Sequence, residues 1–280
     1  SATAWRLASI PQGQPDLFPE ATKNTLGLGF NRSKLAWYTI DPVFVQNNNL
    51  TPQHISQNGQ MLADSRMRLL LITELFPNNQ PQQGQMTNVA TLDLAYYPKE
   101  RGMYNYDTTN VDSSGSFINP EARWGGISRA LNTNDFETAN IEFIQFWMLD
   151  PFNEDAENAD PNSSHNGGDL YFNLGNISED VLKDSRKSFE NGLPALTSLT
   201  QENIDTTLWS RVSSQQIVVN AFDNDPEARV NQDVGLDGWK NSDERLSYNS
   251  YINWVNNNST LTAASKARMI SDPSSDDYTY

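Results

Sequence analysis

Short apolar runs recur along the chain and limit the folds that it can form. Each run has the length of a β-strand, and some alternate apolar with polar residues, as Ile141 and Phe143 do with Glu142. The connecting segments are rich in Asn, Asp, Pro, Gly and Ser, which is typical of β-sandwiches and barrel-like sheets. The predicted strands are Leu26–Phe30, Lys34–Ile40, Ala90–Tyr97, Ile141–Met148, Asp169–Leu174 and Gln216–Phe222.

These runs predict a mainly β fold, an antiparallel β-sandwich of jelly-roll type with a few short peripheral helices. One helix is expected at Ser178–Gly192, because Ser178 is a good N-cap, acidic residues follow it and a glycine ends the pattern. We divide the chain into a β-rich domain, residues 1–242, and a helical and polar tail, residues 243–280, that leads to a next element. The other predicted helices are Met61–Phe76, Asp243–Val255 and Thr260–Ile270.

Composition narrows the classes of function. The chain has 19 Lys and Arg against 35 Asp and Glu, a net charge of -16, which argues against nucleic-acid partners because these require clustered basic residues. Cysteine is absent, which excludes thiol catalysis and disulfides. No apolar run approaches the length of a membrane-spanning helix, so we expect a soluble segment without direct lipid insertion, excised from a longer protein.

Catalytic motifs are not apparent. The two histidines, His54 and His165, lie in polar loops, and no nucleophile turn, zinc-protease motif or phosphate-binding glycine loop accompanies them. A pair of acids of the glycosidase type stays open, because the required spacing is spatial. We predict that the chain is not an enzyme and has no catalytic residues.

A carboxylate-rich loop follows the last predicted strand. Aspartates this close repel one another unless a cation or a basic side chain lies among them. A calcium ion would account for the oxygen ligands and the neighbouring glycines; the alternative is a loop of Asx turns and ion pairs with Arg229 or Lys240. The predicted calcium ligands are Asp223, Asp225, Asp233 and Asp237.

Two tryptophans are candidates for sugar binding, because an indole ring can stack on a pyranose. Trp124 precedes Gly125, and Trp239 follows Gly238. Packing in the core is the alternative for both. With calcium, they suggest a calcium-dependent carbohydrate-binding or cell-surface adhesion sandwich as one possible function.

Several longer strings, taken together, resemble one family. The resemblance covers the chain from about Trp5 to Asp237, and the strings are specific as a set although none is a catalytic signature. This set is similar to the SprA/Sov proteins, the giant outer-membrane translocons of the type IX secretion system and gliding motility in Bacteroidetes. The strings are Tyr96–Gly102, Tyr104–Asp107, Asn119–Pro120, Arg123–Ile127, Phe136–Glu142, Gly167–Asp180, Phe189–Gly192, Asp223–Pro226 and Gln232–Gly238.

The resemblance implies a soluble segment of a very large β-barrel in the cell envelope, on the lumenal or extracellular side of the outer membrane. Its expected partners are a barrel partner protein, a plug and the secreted cargo. The segment would be a structural or gating module of the conduit, and the family supplies no active residues to transfer. The chain departs from the family pattern at Gln80–Gln85, at Asn153–Asn166 and after Asp243.

Overall fold

A computed structural model describes residues 2–45, 49–64, 66–85, 87–133, 135–150, 168–186, 204–213, 224–226, 229 and 232–277. The predicted mainly β sandwich is wrong, because strands account for only 14% and helices for 26%. In the described residues every sheet has two strands. The apolar runs therefore do not build the two facing sheets that a sandwich requires.

The strands form four small pairs. The pairs are β1 with β6, β2 with β5, β3 with β4, and β7 with β8. Three of them are antiparallel, namely β1–β6, β3–β4 and β7–β8. The strands are β1 (Arg6–Leu7), β2 (Ser33–Tyr38), β3 (Leu70–Leu71), β4 (Asn88–Val89), β5 (Asp93–Arg101), β6 (Ile127–Ser128), β7 (Ile204–Thr206) and β8 (Arg211–Ser213).

The predicted strands have different outcomes. Lys34–Ile40 largely coincides with β2, and Ala90–Tyr97 overlaps the start of β5. Leu26–Phe30 instead forms a 3-10 helix, whose N-terminus is capped by the side chain of Thr25. Ile141–Met148 and Asp169–Leu174 have no strand pairing within the described residues, and Gln216–Phe222 lies outside them.

The α-helices of the described residues are short, and three of the six lie near the C-terminus. The predictions for Asp243–Val255 and Thr260–Ile270 are confirmed by three helices there. The prediction for Met61–Phe76 is wrong, since that stretch divides into two helical turns and β3. No helix forms over 178–186, where Lys183 and Ser185 have left-handed φ angles of 56° and 63°. The helices are α1 (Gln53–Ser56), α2 (Gly59–Ala63), α3 (Ile72–Leu75), α4 (Asn241–Ser247), α5 (Asn249–Asn257) and α6 (Ala263–Ser271).

The described residues also contain five 3-10 helices. They lie at Ala2–Ala4, Pro19–Thr22, Leu26–Gly29, Pro42–Phe44 and Pro120–Ala122. None of the helices in the described part of the chain is both long and apolar enough to span a membrane.

The chain divides into two units. The first contains Ser1–Trp5, Trp37–Leu94 and Arg129–Asn173, and the second contains Arg6–Ala36, Ala95–Ser128 and Leu174–Tyr280. The main core lies in the second unit. It combines residues of α5 and α6 with two tyrosines that follow β5 and with residues of the connecting segments. Its buried members are Tyr104, Tyr106, Val181, Leu182, Tyr248, Tyr251, Ile252, Val255, Leu261 and Met269.

Candidate functional site

Three carboxylates meet in the interior of the second unit, and we call them the carboxylate cluster: Asp237, Glu244 and Asp276. One oxygen from each lies within 4.8 Å of those of the other two. Each side chain is at most 4% exposed. No Lys or Arg of the described residues forms an ion pair with any of them.

Local backbone geometry brings the three acids together from separate elements. Asp237 lies in a turn between Gly235 and Gly238, whose φ angles of 53° and 69° are left-handed. Glu244 lies in the first turn of α4, and Asp276 follows α6. A Cβ atom on Gly235 would lie 1.7 Å from Asp276 Oδ2, so only glycine permits this approach.

Tyrosine and serine hydroxyls surround two of the carboxylates. Tyr248 Oη donates to the backbone carbonyl of Trp209 over 2.6 Å and lies 3.0 Å from Asp237 Oδ2, and Ser274 Oγ donates to that carboxylate oxygen over 2.9 Å. Tyr104 Oη donates to Asp276 Oδ2 over 2.9 Å and accepts from the backbone N–H of Leu236. These neutral donors stabilise the acids without supplying positive charge.

Glu244 has a different environment. Its Oε2 accepts a 3.1 Å hydrogen bond from the backbone N–H of Ser274. Its Oε1 is buried and has no hydrogen-bond partner. A buried acceptor without a partner is uncommon in native proteins, so this oxygen requires an explanation.

Burial and mutual repulsion keep protons on the cluster in the absence of a cation. The pKa of Glu244 is raised to about 9, mainly by burial and next by repulsion from Asp237. The pKa of Asp237 is raised well above its usual value, again mainly by burial and next by repulsion from Asp276. The pKa of Asp276 is raised well above its usual value by burial and then by the charge of Glu244. The three groups cannot all be ionised without a counter-charge.

A pH dependence of stability follows for the cation-free protein. The pKa of Glu244 is higher in the folded than in the unfolded chain. Its contribution to the free energy of unfolding is therefore complete at pH values below the pKa of the unfolded chain, and it is lost as the pH rises towards about 9. With chelator present, we expect the free energy of unfolding to be lower at high than at mildly acidic pH, by on the order of 2 kcal/mol. Urea unfolding across this range measures it.

The matched variants for this measurement are Glu244→Gln and Asp243→Asn. The first removes a titrating buried carboxyl and is expected to weaken the pH dependence. The second removes a partly exposed acid from the same helical turn and should leave the dependence unchanged. An equally steep dependence in both variants would contradict the assignment to Glu244.

A second carboxylate group shares Asp276 and reaches the surface. Carboxylate oxygens of Asp272, Asp276 and Asp277 lie within 4.8 Å of one another. The nearby guanidinium of Arg101 donates to the backbone carbonyls of Asp272 and Pro273. It therefore anchors the backbone of this segment, and its hydrogen bonds do not reach the carboxylates.

The predicted calcium ligands are only partly brought together. Asp237 belongs to the carboxylate cluster, whereas Asp225 is exposed and Asp233 is partly buried outside it. Asp223 lies outside the described residues. Glu244 and Asp276 were not among the predicted ligands. Their only signals in the sequence were an acid in a predicted first helical turn and an Asp-rich stretch near the C-terminus.

The two candidate sugar-binding tryptophans are both partly buried. The Trp124 ring packs edge-on against Phe18 with centroids 5.5 Å apart, and its indole N–H donates to Glu20 Oε1 over 3.0 Å. Trp239 packs against the main core, and the guanidinium of Arg211 lies 5.4 Å from its ring centroid. Sugar binding by either one stays a prediction.

Two further observations bear on catalysis. His54 is exposed on α1, while His165 lies outside the described residues. A cavity of about 10 Å³, enough for about one water molecule, lies beside Tyr104 and Tyr106. Its lining does not include the carboxylate cluster. The acids therefore do not converge on this cavity.

No protein-family model matches the chain, and no curated protein is similar enough to be counted as a match.

Proposed function

We propose that the chain is a non-enzymatic structural module of a type IX protein secretion translocon in the outer membrane. In this role it contributes to the conduit and contacts other proteins of the machinery, namely the barrel partner, the plug or secreted cargo. The proposal combines the resemblance of the sequence strings with the surface of the first unit. The observation that carries it is a pair of exposed apolar stretches in that unit.

The two apolar stretches are residues 141–149 and 170–172. The backbone is neither helical nor paired as a strand in either stretch. The stretches meet at Phe146 and Phe172, whose ring centroids lie 5.0 Å apart. The exposed large apolar side chains are Ile141, Phe143, Ile144, Phe146, Trp147, Met148, Leu149, Leu170, Tyr171 and Phe172.

The energetics favour a protein contact for these stretches. Phe143 is 74% exposed and Met148 is 67% exposed. Full burial of one such side chain contributes about 1.5–3 kcal/mol. Single exposed apolar residues are ordinary on protein surfaces, but contiguous ones mark interaction sites. Neither stretch is paired in a sheet within the described residues, so a strand of another protein can add to them.

The carboxylate cluster does not favour an enzyme or a lectin. Hydrolysis by two acids needs a cleft in which a sugar lies between them, and a lectin-type calcium ion needs open coordination positions. All three acids of the cluster are buried. The described residues thus give the calcium-dependent adhesion alternative no specific support.

The proposal is tested by adding charge to the first apolar stretch in the full-length protein within a type IX-secreting bacterium. We expect Phe143→Asp with Met148→Asp to lower cargo export several-fold, because a buried carboxylate without a partner destabilises an interface. The measurements are secreted cargo in the medium and the amount of barrel partner that co-purifies.

The control is Gln145→Asp, which adds one carboxylate at an exposed polar position of the same stretch. Its export should stay near the wild-type level. Unchanged export and co-purification in the double variant, at normal levels of the protein in the outer membrane, would contradict the proposed function.

A further inference from the structure

We propose that the carboxylate cluster of Asp237, Glu244 and Asp276 is a binding site for one divalent cation, calcium. The inference is independent of the translocon proposal, because it rests only on the interior of the second unit. It differs from the loop site predicted from sequence, since two of its three ligands lie outside that loop.

The spacing of the oxygens meets the first requirement for a shared ion. Calcium binds oxygen ligands at about 2.3–2.6 Å, so two ligands of one ion lie at most about 5 Å apart. The three carboxylate oxygens are all within 4.8 Å of one another. One ion can therefore be reached by all three acids from their observed backbone positions.

A second observation points to a ligand independently of the acidity of the cluster. Glu244 Oε1 is buried and has no hydrogen-bond partner, although the other oxygen of the same carboxylate accepts from Ser274 N. Glu244 is 0% exposed, so solvent does not supply the missing contact. A cation held among the three acids would give the Glu244 carboxylate a contact beyond its hydrogen bond from Ser274 N.

The donor atoms select the chemical class of the cation. The cluster offers carboxylate oxygens, and the hydroxyls of Ser274 and Tyr248 lie within hydrogen-bond distance of Asp237. Oxygen ligands suit calcium or magnesium rather than a transition metal, which prefers nitrogen or sulfur. Magnesium keeps several of its waters, whereas calcium accepts an irregular set of protein oxygens. Calcium is therefore the better match for this enclosed site.

Binding would link three separate elements of the second unit. Asp237 belongs to the glycine turn, Glu244 to α4, and Asp276 to the segment that follows α6. One ion would hold that segment against α4 and replace mutual repulsion by attraction. Calcium would then stabilise the folded chain, because the unfolded chain does not hold the three acids together.

The first experiment uses the purified chain after treatment with a chelator. Titration with CaCl2 in a calorimeter is expected to give one site, filled at or below about 1 mM calcium. The melting temperature should rise on addition of calcium. Terbium(III), a luminescent substitute for calcium, should bind competitively and be sensitised by Tyr248, which lies beside the site.

Variants then locate the ion. Glu244→Gln keeps the size of the side chain and an acceptor for Ser274 N, and it should weaken calcium binding by at least about tenfold. Asp276→Asn tests a second ligand in case the first variant folds poorly. Asp243→Asn is the matched control from the same helical turn and should bind calcium like the wild type.

These experiments distinguish a carboxylate cluster that binds calcium from one that is only protonated. Loss of binding in both ligand variants with retention in Asp243→Asn supports the site. Absence of calcium binding to the wild-type chain at about 1 mM would overturn the proposal, and the cluster would then be protonated. Wild-type affinity in Glu244→Gln and Asp276→Asn would overturn it as well, and magnesium binding at least as tight as calcium would overturn the choice of cation.

Discussion

Gly238→Ala is expected to lower the free energy of unfolding by about 3–5 kcal/mol, combining left-handed strain with a steric clash. Gly238 has a φ angle of 69°. A Cβ atom there would lie 1.7 Å from the carbonyl oxygen of Arg211, at the start of β8. Because the obstructing atom belongs to the backbone, no side-chain rotation relieves the clash. The turn that holds Asp237 would have to move away from β8.

The control for this substitution is Gly13→Ala. Gly13 has a similar φ angle of 75°, but a Cβ atom added to it would have no other atom within 4 Å. Gly13→Ala therefore measures the conformational strain alone, and we expect it to lower the free energy of unfolding by about 1–2 kcal/mol. Urea unfolding followed by tryptophan fluorescence gives both values. Equal losses in the two variants would show that the contact between the turn and β8 is not as close as described.

Arg123→Met is expected to destabilise the second unit by about 3–5 kcal/mol, because it leaves a buried carboxylate without its partner. The Arg123 guanidinium donates to Asp107 Oδ2 over 2.9 Å, and both side chains are buried. It also donates to Asn119 Oδ1 over 2.7 Å and to the backbone carbonyl of Phe30. Loss of the guanidinium removes all three contacts at once.

The exposed ion pair of Arg66 and Asp64 provides the control. Its atoms are 2.7 Å apart, but the Arg66 side chain is 59% exposed. We expect Arg66→Met to cost less than about 1 kcal/mol, because water replaces the lost contact. Adding Asp107→Asn to Arg123→Met should recover part of the stability, since it removes the stranded charge. A loss of less than about 1 kcal/mol in Arg123→Met would contradict the buried-pair interpretation.

The fold was predictable where local signals and packing agree. The C-terminal helices follow from helical patterns, although α6 is capped by Thr262, whose side chain accepts from Ser265 N, two residues after the predicted start at Thr260. The buried face of α5, with Tyr251, Ile252 and Val255, then joins the core. These signals act within one turn of the chain, so they survive in the folded structure.

Strand predictions failed where pairing had to be inferred. The run that begins at Leu26 has the composition of a strand, yet Gly29 comes so close to the backbone of Tyr104 that a Cβ would lie 2.3 Å from its carbonyl oxygen. That close approach fixes a tight 3-10 turn, and apolar composition does not reveal it. The run Ile141–Met148 has no β partner in the described part of the chain, and composition alone cannot supply one.

The candidate site was predicted only at Asp237. The glycines on either side of this residue mark a tight turn, and that signal is local. Glu244 and Asp276 join it through the packing of α4 and of the segment after α6, which depends on contacts distant in sequence. Asp243 and Glu244 are indistinguishable as neighbouring acids in the sequence, but only Glu244 is fully buried.

Photocrosslinking in cells tests whether the apolar stretch 141–149 contacts other proteins of the secretion machinery. A photoreactive amino acid at Phe143 of the full-length protein should give crosslinks to an outer-membrane translocon component or to cargo. The same amino acid at Gln60, an exposed polar position of α2, is expected to give background only. No crosslink above background at Phe143, in cells that export cargo normally, would contradict the account.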